Sequence, residues 1–234
     1  MARRVLPLLT LAALCACDDE PTGPDYDPVL PTAWADAVTN TFFPLPVGAT
    51  WSYEGETDEG TETILIEILD ETRLVNGVEA TVFRDRVYLD GVLVEDTRDW
   101  FAQDADGNVW YLGEESYEMD GNDTLNADGS WEWGVDGALP GIIMWADPTA
   151  HVGVDYRQEF YEGEAEDWGR VVETGVTVTV PAGTFTGCIK TDDWNALEGG
   201  RAQSLENKYY CPGVGTVLEE EEDTEIELVE YEVP

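Results

Sequence analysis

Histidine is nearly missing from this chain: His151 is the only one in 234 residues. A histidine-rich metal site is therefore excluded, and a Ser-His-Asp triad would have to rest on that one residue in a glycine-flanked loop. Positive charge is scarce as well, with 11 Lys and Arg against 51 Asp and Glu and a formal net charge of −40. Such a field repels nucleic acid and anionic lipid headgroups, so neither is expected as a partner. It attracts metal ions, polyamines and basic protein surfaces. Apolar run length is limited too. Val5 to Ala13 is too short to span a bilayer and is soon followed by acids.

That short run has a different use. Met1-Ala2-Arg3-Arg4 supplies a positive start, so residues 1–16 read as an export signal. In Leu14-Cys15-Ala16-Cys17, Cys17 has Leu at −3 and a small residue at −1, the arrangement of a bacterial lipobox, whereas Cys15 has Leu14 at −1. Cys17 is thus the expected lipidation site. The expected location is the exported side of the bacterial cell envelope, with the lipid anchor as the one membrane contact. Asp18 resembles the inner-membrane retention signal of enteric bacteria, and the choice of membrane stays open. Cleavage would remove Arg3 and Arg4 and no acid, taking the charge from −40 to −42. Residues 17–37 read as the lipidated Cys and a flexible tether, about 25 Å across if fully flexible. One helical turn is expected over Trp34–Val38.

Composition says that the remainder folds: 43% apolar and 11% aromatic residues supply a core that an acidic disordered tail would lack. Residues 38–234 read as one all-β domain. Ala49–Gly55, Thr61–Val75, Val78–Leu89 and Val92–Gln103 are rich in β-branched and aromatic residues. Asn76-Gly77 and Asp90-Gly91 between them suit two-residue hairpin turns. Ile64, Ile66 and Ile68 alternate onto one face. Asp106-Gly107 turns the chain into Asn108–Gly113. Further strands are expected at Val171–Val180, Thr184–Trp194, Ser204–Cys211, Gly215–Glu219 and Thr224–Tyr231, with Pro181 at a strand end. Between the halves, Gly121 to Gly153 carries many Gly and Asp residues and room for two short strands. Ten to twelve strands without an internal linker argue for antiparallel hairpins forming a strongly curved sheet or an open barrel.

Cysteine spacing adds a covalent expectation. After cleavage and lipidation, Cys188 and Cys211 are left in an oxidising compartment, where they are expected to pair. Gly199-Gly200 is an acceptable hairpin turn, and pairing outward from it sets Glu198 against Arg201, Trp194 against Leu205 and Cys188 against Cys211.

Three segments resemble a known group. Asn40 to Tyr53 carries the pattern aromatic-Pro-Leu-x-x-Gly-x-x-Trp-x-Tyr, Val180 to Phe185 carries Val-Pro-Ala-Gly-x-Phe, and Tyr210 to Val217 carries Tyr-x-Pro-Gly-Val-Gly-x-Val. Together they resemble bacterial envelope lipoproteins whose domains begin and end this way. The resemblance implies a curved sheet similar to that of lipoprotein carriers such as LolA and LolB. It brings turn glycines and core aromatics, and no catalytic residue.

Candidate sites are few. Asp104-Ala105-Asp106-Gly107-Asn108 is similar to a calcium loop, but Val109 stands where a helix–loop–helix site needs glycine. It reads first as a hairpin turn, and otherwise as a weaker Ca²⁺ site of Asp104, Asp106 and Asn108. Glu162, Glu164, Glu166 and Asp167 crowd beside Trp168, so Glu164, Glu166 and Asp167 are a second candidate for Ca²⁺; no other cofactor is implied. Trp131, Trp133, Trp145, Tyr156, Phe160, Tyr161 and Trp168 are the aromatic group for an apolar, sugar or cationic ligand, with core packing the competing account. The expectation is a lipid-anchored, non-enzymatic binding protein with its ligand on a Trp-rich concave face. The alternatives are a structural lipoprotein docking a basic protein partner through its acidic surface, and a carboxylate-dependent glycoside hydrolase.

Overall fold

In a computed structural model, the structure describes residues 26–234, apart from residues 122, 128 and 223 and the side chain of residue 120. The signal sequence, Cys17 and the first part of the tether lie outside the described residues. The strands are β1 (Thr50–Thr57), β2 (Gly60–Val75), β3 (Val78–Leu89), β4 (Val92–Gln103), β5 (Val109–Asp120), β6 (Asp123–Asn126), β7 (Trp131–Glu132), β8 (Leu139–Met144), β9 (Asp155–Arg157), β10 (Glu159–Phe160), β11 (Asp167–Val180), β12 (Gly183–Asn195), β13 (Glu206–Cys211), β14 (Gly215–Glu221) and β15 (Thr224–Glu232). They form one antiparallel sheet of order β10-β8-β5-β4-β3-β2-β1-β15-β14-β13-β12-β11-β9, with β6 and β7 off the path on β5. The sheet curls into a nearly closed barrel.

Local sequence explains the hairpins. Asn76 and Gly77 take φ of 43° and 88°, and Asp90 and Gly91 take 49° and 80°, the double positive φ that matches strand twist. β3 and β4 therefore begin and end where the sequence places them. Pro181 stands just after β11, where its missing N–H leaves no ladder position empty. The central stretch holds β6, β7 and β8, one strand more than expected.

The barrel seam lies at one kink in the chain. β9 pairs with β11 and β10 pairs with β8, so the two edges of the sheet are consecutive pieces joined by Gln158. The Gln158 N–H donates to Asp167 O at 2.9 Å. Gly141 allows this approach, because a Cβ there would collide with the Arg157 and Gln158 backbone.

The tether is structured where it is described. Trp34 forms a β-bridge with Asp104 instead of the expected helical turn, and its ring packs 6.2 Å from Trp110 and 6.3 Å from Trp133. The Tyr26 hydroxyl donates to Pro140 O at 3.0 Å, and its ring lies 5.5 Å from Phe160. Apolar burial overrides the tether composition here.

Strand alternation produces two apolar layers. Phe43, Ile68, Phe101, Ile189 and Tyr210 belong to the barrel interior, whereas Val82, Trp100, Ala102, Trp110 and Leu112 form a second cluster on the opposite sheet face. Cys188 and Cys211 are joined by a disulfide at the end of the β12–β13 ladder, within the same buried cluster. The register is the expected one, with Ile189 opposite Tyr210 and Asp193 opposite Glu206. The turn is not. β12 stops at Asn195 and β13 starts at Glu206, with a short 3-10 turn over Gly200–Ala202 between them. Arg201 reaches Asp192 rather than Glu198, because the loop folds back over the strand end.

Candidate functional site

The barrel interior holds an open cavity of about 230 Å³. Its lining follows from the strand period, since acids stand in phase with inward apolar residues. Asp85 follows Phe83 by two positions on β3, and Asp99 precedes Phe101 by two on β4. Asp193 follows Ile189 and Thr191, and Lys208 precedes Tyr210 in the same way. Glu219 comes from β14, Asp167 from β11 and Glu159 from β10 at the seam. Six carboxyl side chains and one lysine therefore line a single cavity.

Between them, on the same strands, stand aromatic side chains. Phe101 lies 5.1 Å from Phe43, 5.6 Å from Phe83 and 4.8 Å from Tyr111, ring to ring, with Ile66 and Ile143 completing the apolar side.

The carboxyls are poorly compensated. Lys208 Nζ is 3.2 Å from Glu206 Oε2 and 3.8 Å from Glu219 Oε1. Burial alone would lower its pKa, but Glu206 and Glu219 outweigh that and hold the ammonium well above its usual value. Gln158 Nε2 donates to Asp193 Oδ2 at 3.2 Å. Asp85 Oδ1, Asp167 Oδ1 and Asp193 Oδ1 are buried without a hydrogen-bond partner, as is the Thr191 hydroxyl beside Asp193. Burial accordingly raises Asp85 and Asp99 well above the carboxylate range, with Asp99 adding to the effect on Asp85 and Glu114 to that on Asp99. Burial also raises Glu114, Glu159 and Glu219 to about 8, and Asp167 and Asp193 to about 6.

The sequence-predicted residues are mostly elsewhere. Asp104, Asp106 and Asn108 stay together, yet the Asp104 carboxylate is already occupied. Its Oδ1 accepts from the N–H groups of Asp106 and Asn108, and its Oδ2 from Asn108 Nδ2 and Trp110 Nε1, each at 2.9 Å. Glu164 is exposed, Glu166 pairs with Arg157 at 3.1 Å, and Asp167 turns into the cavity. Among the described residues, no group of three or more His, Cys, Asp or Glu side chains is placed to hold a metal ion.

The aromatic group is dispersed. Trp133 and Tyr156 are buried in the cluster on the sheet face opposite the cavity, and Trp145 packs against it while stacking on His151 at 3.9 Å. Trp131 packs behind Tyr111 at 5.3 Å, in a small cluster with Tyr161. Trp168 stacks on Trp194 at 6.2 Å and under the Arg157 guanidinium at 4.3 Å, and Arg157 also covers Phe160 at 5.0 Å. The cavity residues went unnoticed among 51 acids, although their phase with the inward apolar series was readable.

No family model matches the sequence, and no curated protein matches it. Two solved structures are similar. One, described as an exported protein with YmcC-like fold from Bacteroides fragilis NCTC 9343, has a TM-score of 0.47 and 16% identity, covering 83% of this chain and 100% of its own. The other, described as a lipoprotein from Parabacteroides distasonis ATCC 8503, has a TM-score of 0.41 and 14% identity, covering 85% and 100%. At these scores neither carries an argument about this chain.

Proposed function

We propose that this chain is an exported, lipid-anchored protein of the bacterial envelope that takes a cationic ligand into its barrel without chemically transforming it. One observation carries the reading. Asp85, Asp167 and Asp193 each leave a buried carboxyl oxygen unpaired beside a cavity that contains a single lysine. Leaving a buried acceptor unsatisfied costs roughly 1–3 kcal/mol, and more for a charged group, so a cation there would recover a free energy the fold forgoes. The acids are spread around the wall instead of converging on a point, which suits an extended organic cation better than a bare metal ion. An apolar ligand would leave those oxygens unmet, and a sugar could donate hydroxyls to them but would bring no charge to offset the carboxylates. The envelope location rests on the signal sequence and Cys17.

The full chain carrying Cys17→Ala, titrated calorimetrically at fixed ionic strength, should bind butylamine and leave octanoate and glucose unbound. Asp193→Asn should weaken the amine at least tenfold. Binding of octanoate or glucose without the amine would overturn the reading. In cells, Cys17→Ala should release the exported protein in soluble form, and an unchanged membrane fraction would remove the anchor.

A further inference from the structure

We propose that the cavity is built for an organic monocation with an apolar body, the ammonium held at Asp193 and the body on Phe43, Phe83 and Phe101. The inference rests on the cation reading above and names the class of ligand.

Two independent features meet in the one space. The first is the set of unpaired oxygens. Asp193 is only 6% exposed and its Oδ1 has no partner, while half-buried Asp85 and Asp167 each also leave a buried Oδ1 without one. The second is the wall of Phe43, Phe83, Phe101, Ile66 and Ile143, which presents no hydrogen-bonding side-chain atom. A fully solvated small cation would face that wall with no means of using it. A lipid chain would satisfy the wall and strand the carboxyls. A single molecule with an ammonium at one end and a hydrocarbon or aromatic body at the other answers both, and ring faces also attract a nearby cation.

Lys208 limits the charge to one. It pairs with Glu206 and Glu219, and its charge also acts on Asp85, Asp167 and Asp193. A second ammonium on the ligand would meet that lysine, the aliphatic side chains of Ile66 and Ile143, or Asp99 and Glu159, whose carboxyls burial holds protonated at neutral pH. The size is bounded as well: 230 Å³ is the space of about eight water molecules. A ligand of about seven to nine non-hydrogen atoms is therefore indicated.

The test is a homologous series on the full chain carrying Cys17→Ala, measured calorimetrically at constant pH and ionic strength with ethylamine, butylamine, hexylamine, decylamine, spermidine and hexanoate. Affinity should rise about fourfold per methylene from ethylamine to hexylamine. It should level off or fall by decylamine, with spermidine weaker than hexylamine and hexanoate unbound. Ile143→Ser should lower hexylamine affinity and leave ethylamine unchanged; the wild-type series decides the matter if that variant fails to fold. Equal affinity along the series, or spermidine bound more tightly than hexylamine, would overturn the monocation with an apolar body and leave cation binding standing. No amine binding, or hexanoate binding as well as hexylamine, would overturn both.

Discussion

The Tyr111 hydroxyl lies 2.5 Å from Asp99 Oδ1 and 3.0 Å from Glu114 Oε2. A phenol has one proton to donate, so it satisfies one carboxylate. The second contact is attractive only when that carboxyl carries a proton and donates it to the phenol oxygen. Burial, reinforced by Glu159, already raises Glu114 to about 8, and burial reinforced by Glu114 raises Asp99. The inner wall thus holds protons at neutral pH, and the barrel tolerates its acids by leaving some of them un-ionised.

This fixes the pH dependence of stability. Glu114 and Glu159 have folded values of about 8, raised above the roughly 4.3 of an unfolded glutamate. Between those values the folded chain binds more protons than the unfolded one, so their contribution is full below about pH 4.3 and is lost as pH rises through 8. Each group contributes about 1.4 kcal/mol per pH unit over that interval. The thermal midpoint should fall from pH 6 to pH 8.5. General repulsion among the acids has the same sign, so the diagnostic is Glu159→Gln, which should raise the midpoint at pH 8.5 more than the same change at exposed Glu162. Equal effects at the two positions would show that burial of Glu159 has no energetic consequence.

Lys208 is the cavity's own cation, and its removal should be felt in the opposite sense. Lys208→Met keeps the length of the stem and deletes the ammonium, leaving Glu206 and Glu219 facing each other. The side chain keeps 27% of its surface accessible toward the cavity, so hydration reduces the loss below that of a fully dry pair. We expect about 2 kcal/mol of destabilisation at pH 8, shrinking toward pH 5 as Glu219, which burial raises to about 8, takes up a proton. Chemical denaturation at both pH values measures this. A loss independent of pH would mean that the stem's packing matters and the charge does not.

Much of the fold was legible because it is local. Asn76-Gly77 and Asp90-Gly91 dictate their turns through backbone conformation alone. Two of the three lipoprotein-like segments also have a structural reason. Trp51 Nε1 donates to Val214 O at 2.8 Å, the Tyr53 hydroxyl to Thr216 O at 3.0 Å, and the Gly213 N–H to Thr41 O at 2.7 Å, so the first motif is bonded to the third. The cavity was not legible in the same way. Asp85 and Asp193 share the phase of the neighbouring apolar residues, but that phase alone does not make the face an interior; only barrel closure does. The tryptophans misdirected the reading for the converse reason. Trp133 and Tyr156 fill a second layer that covers the sheet face opposite the cavity, where their size serves packing.

The seam gives the third prediction. Gly141 permits the backbone of Arg157 and Gln158 to lie against β8, and its conformation is not in the left-handed region, so any penalty for alanine there is steric. Gly141→Ala should destabilise by about 1–3 kcal/mol, the range of overpacking. It should also speed hydrogen exchange selectively at the Gln158 amide, whose partner is Asp167 O. Tyr26→Ala, removing the hydroxyl bond to Pro140 and the ring against Phe160, should loosen the same seam more mildly. Uniform acceleration of exchange throughout the barrel would mean that the closure is no weaker than the rest of the sheet.

The disulfide gives the fourth, and its value follows from where it sits. Cys188 and Cys211 are fully buried at the ends of the ladder between β12 and β13, next to the Ile189–Tyr210 pair. The bond spans a sequence separation of 23, so closing that loop in the unfolded chain is worth about 3 kcal/mol in the chain-entropy account. Cys188→Ala with Cys211→Ala should lose at least that much, since each alanine also leaves a small void where sulfur packed within the buried cluster. The barrel should still close, because the β12–β13 register is held independently by the pairing of Thr191 with Lys208 and of Asp193 with Glu206. Butylamine affinity should therefore persist in the double variant at a temperature well below its midpoint. The bond itself is read directly: the unfolded, non-reduced mature chain should take up no alkylating reagent at Cys188 or Cys211 by intact mass, and one equivalent at each after reduction. Alkylation at both without reductant would show that the pair is open, and the stability loss would then have to be assigned to packing alone.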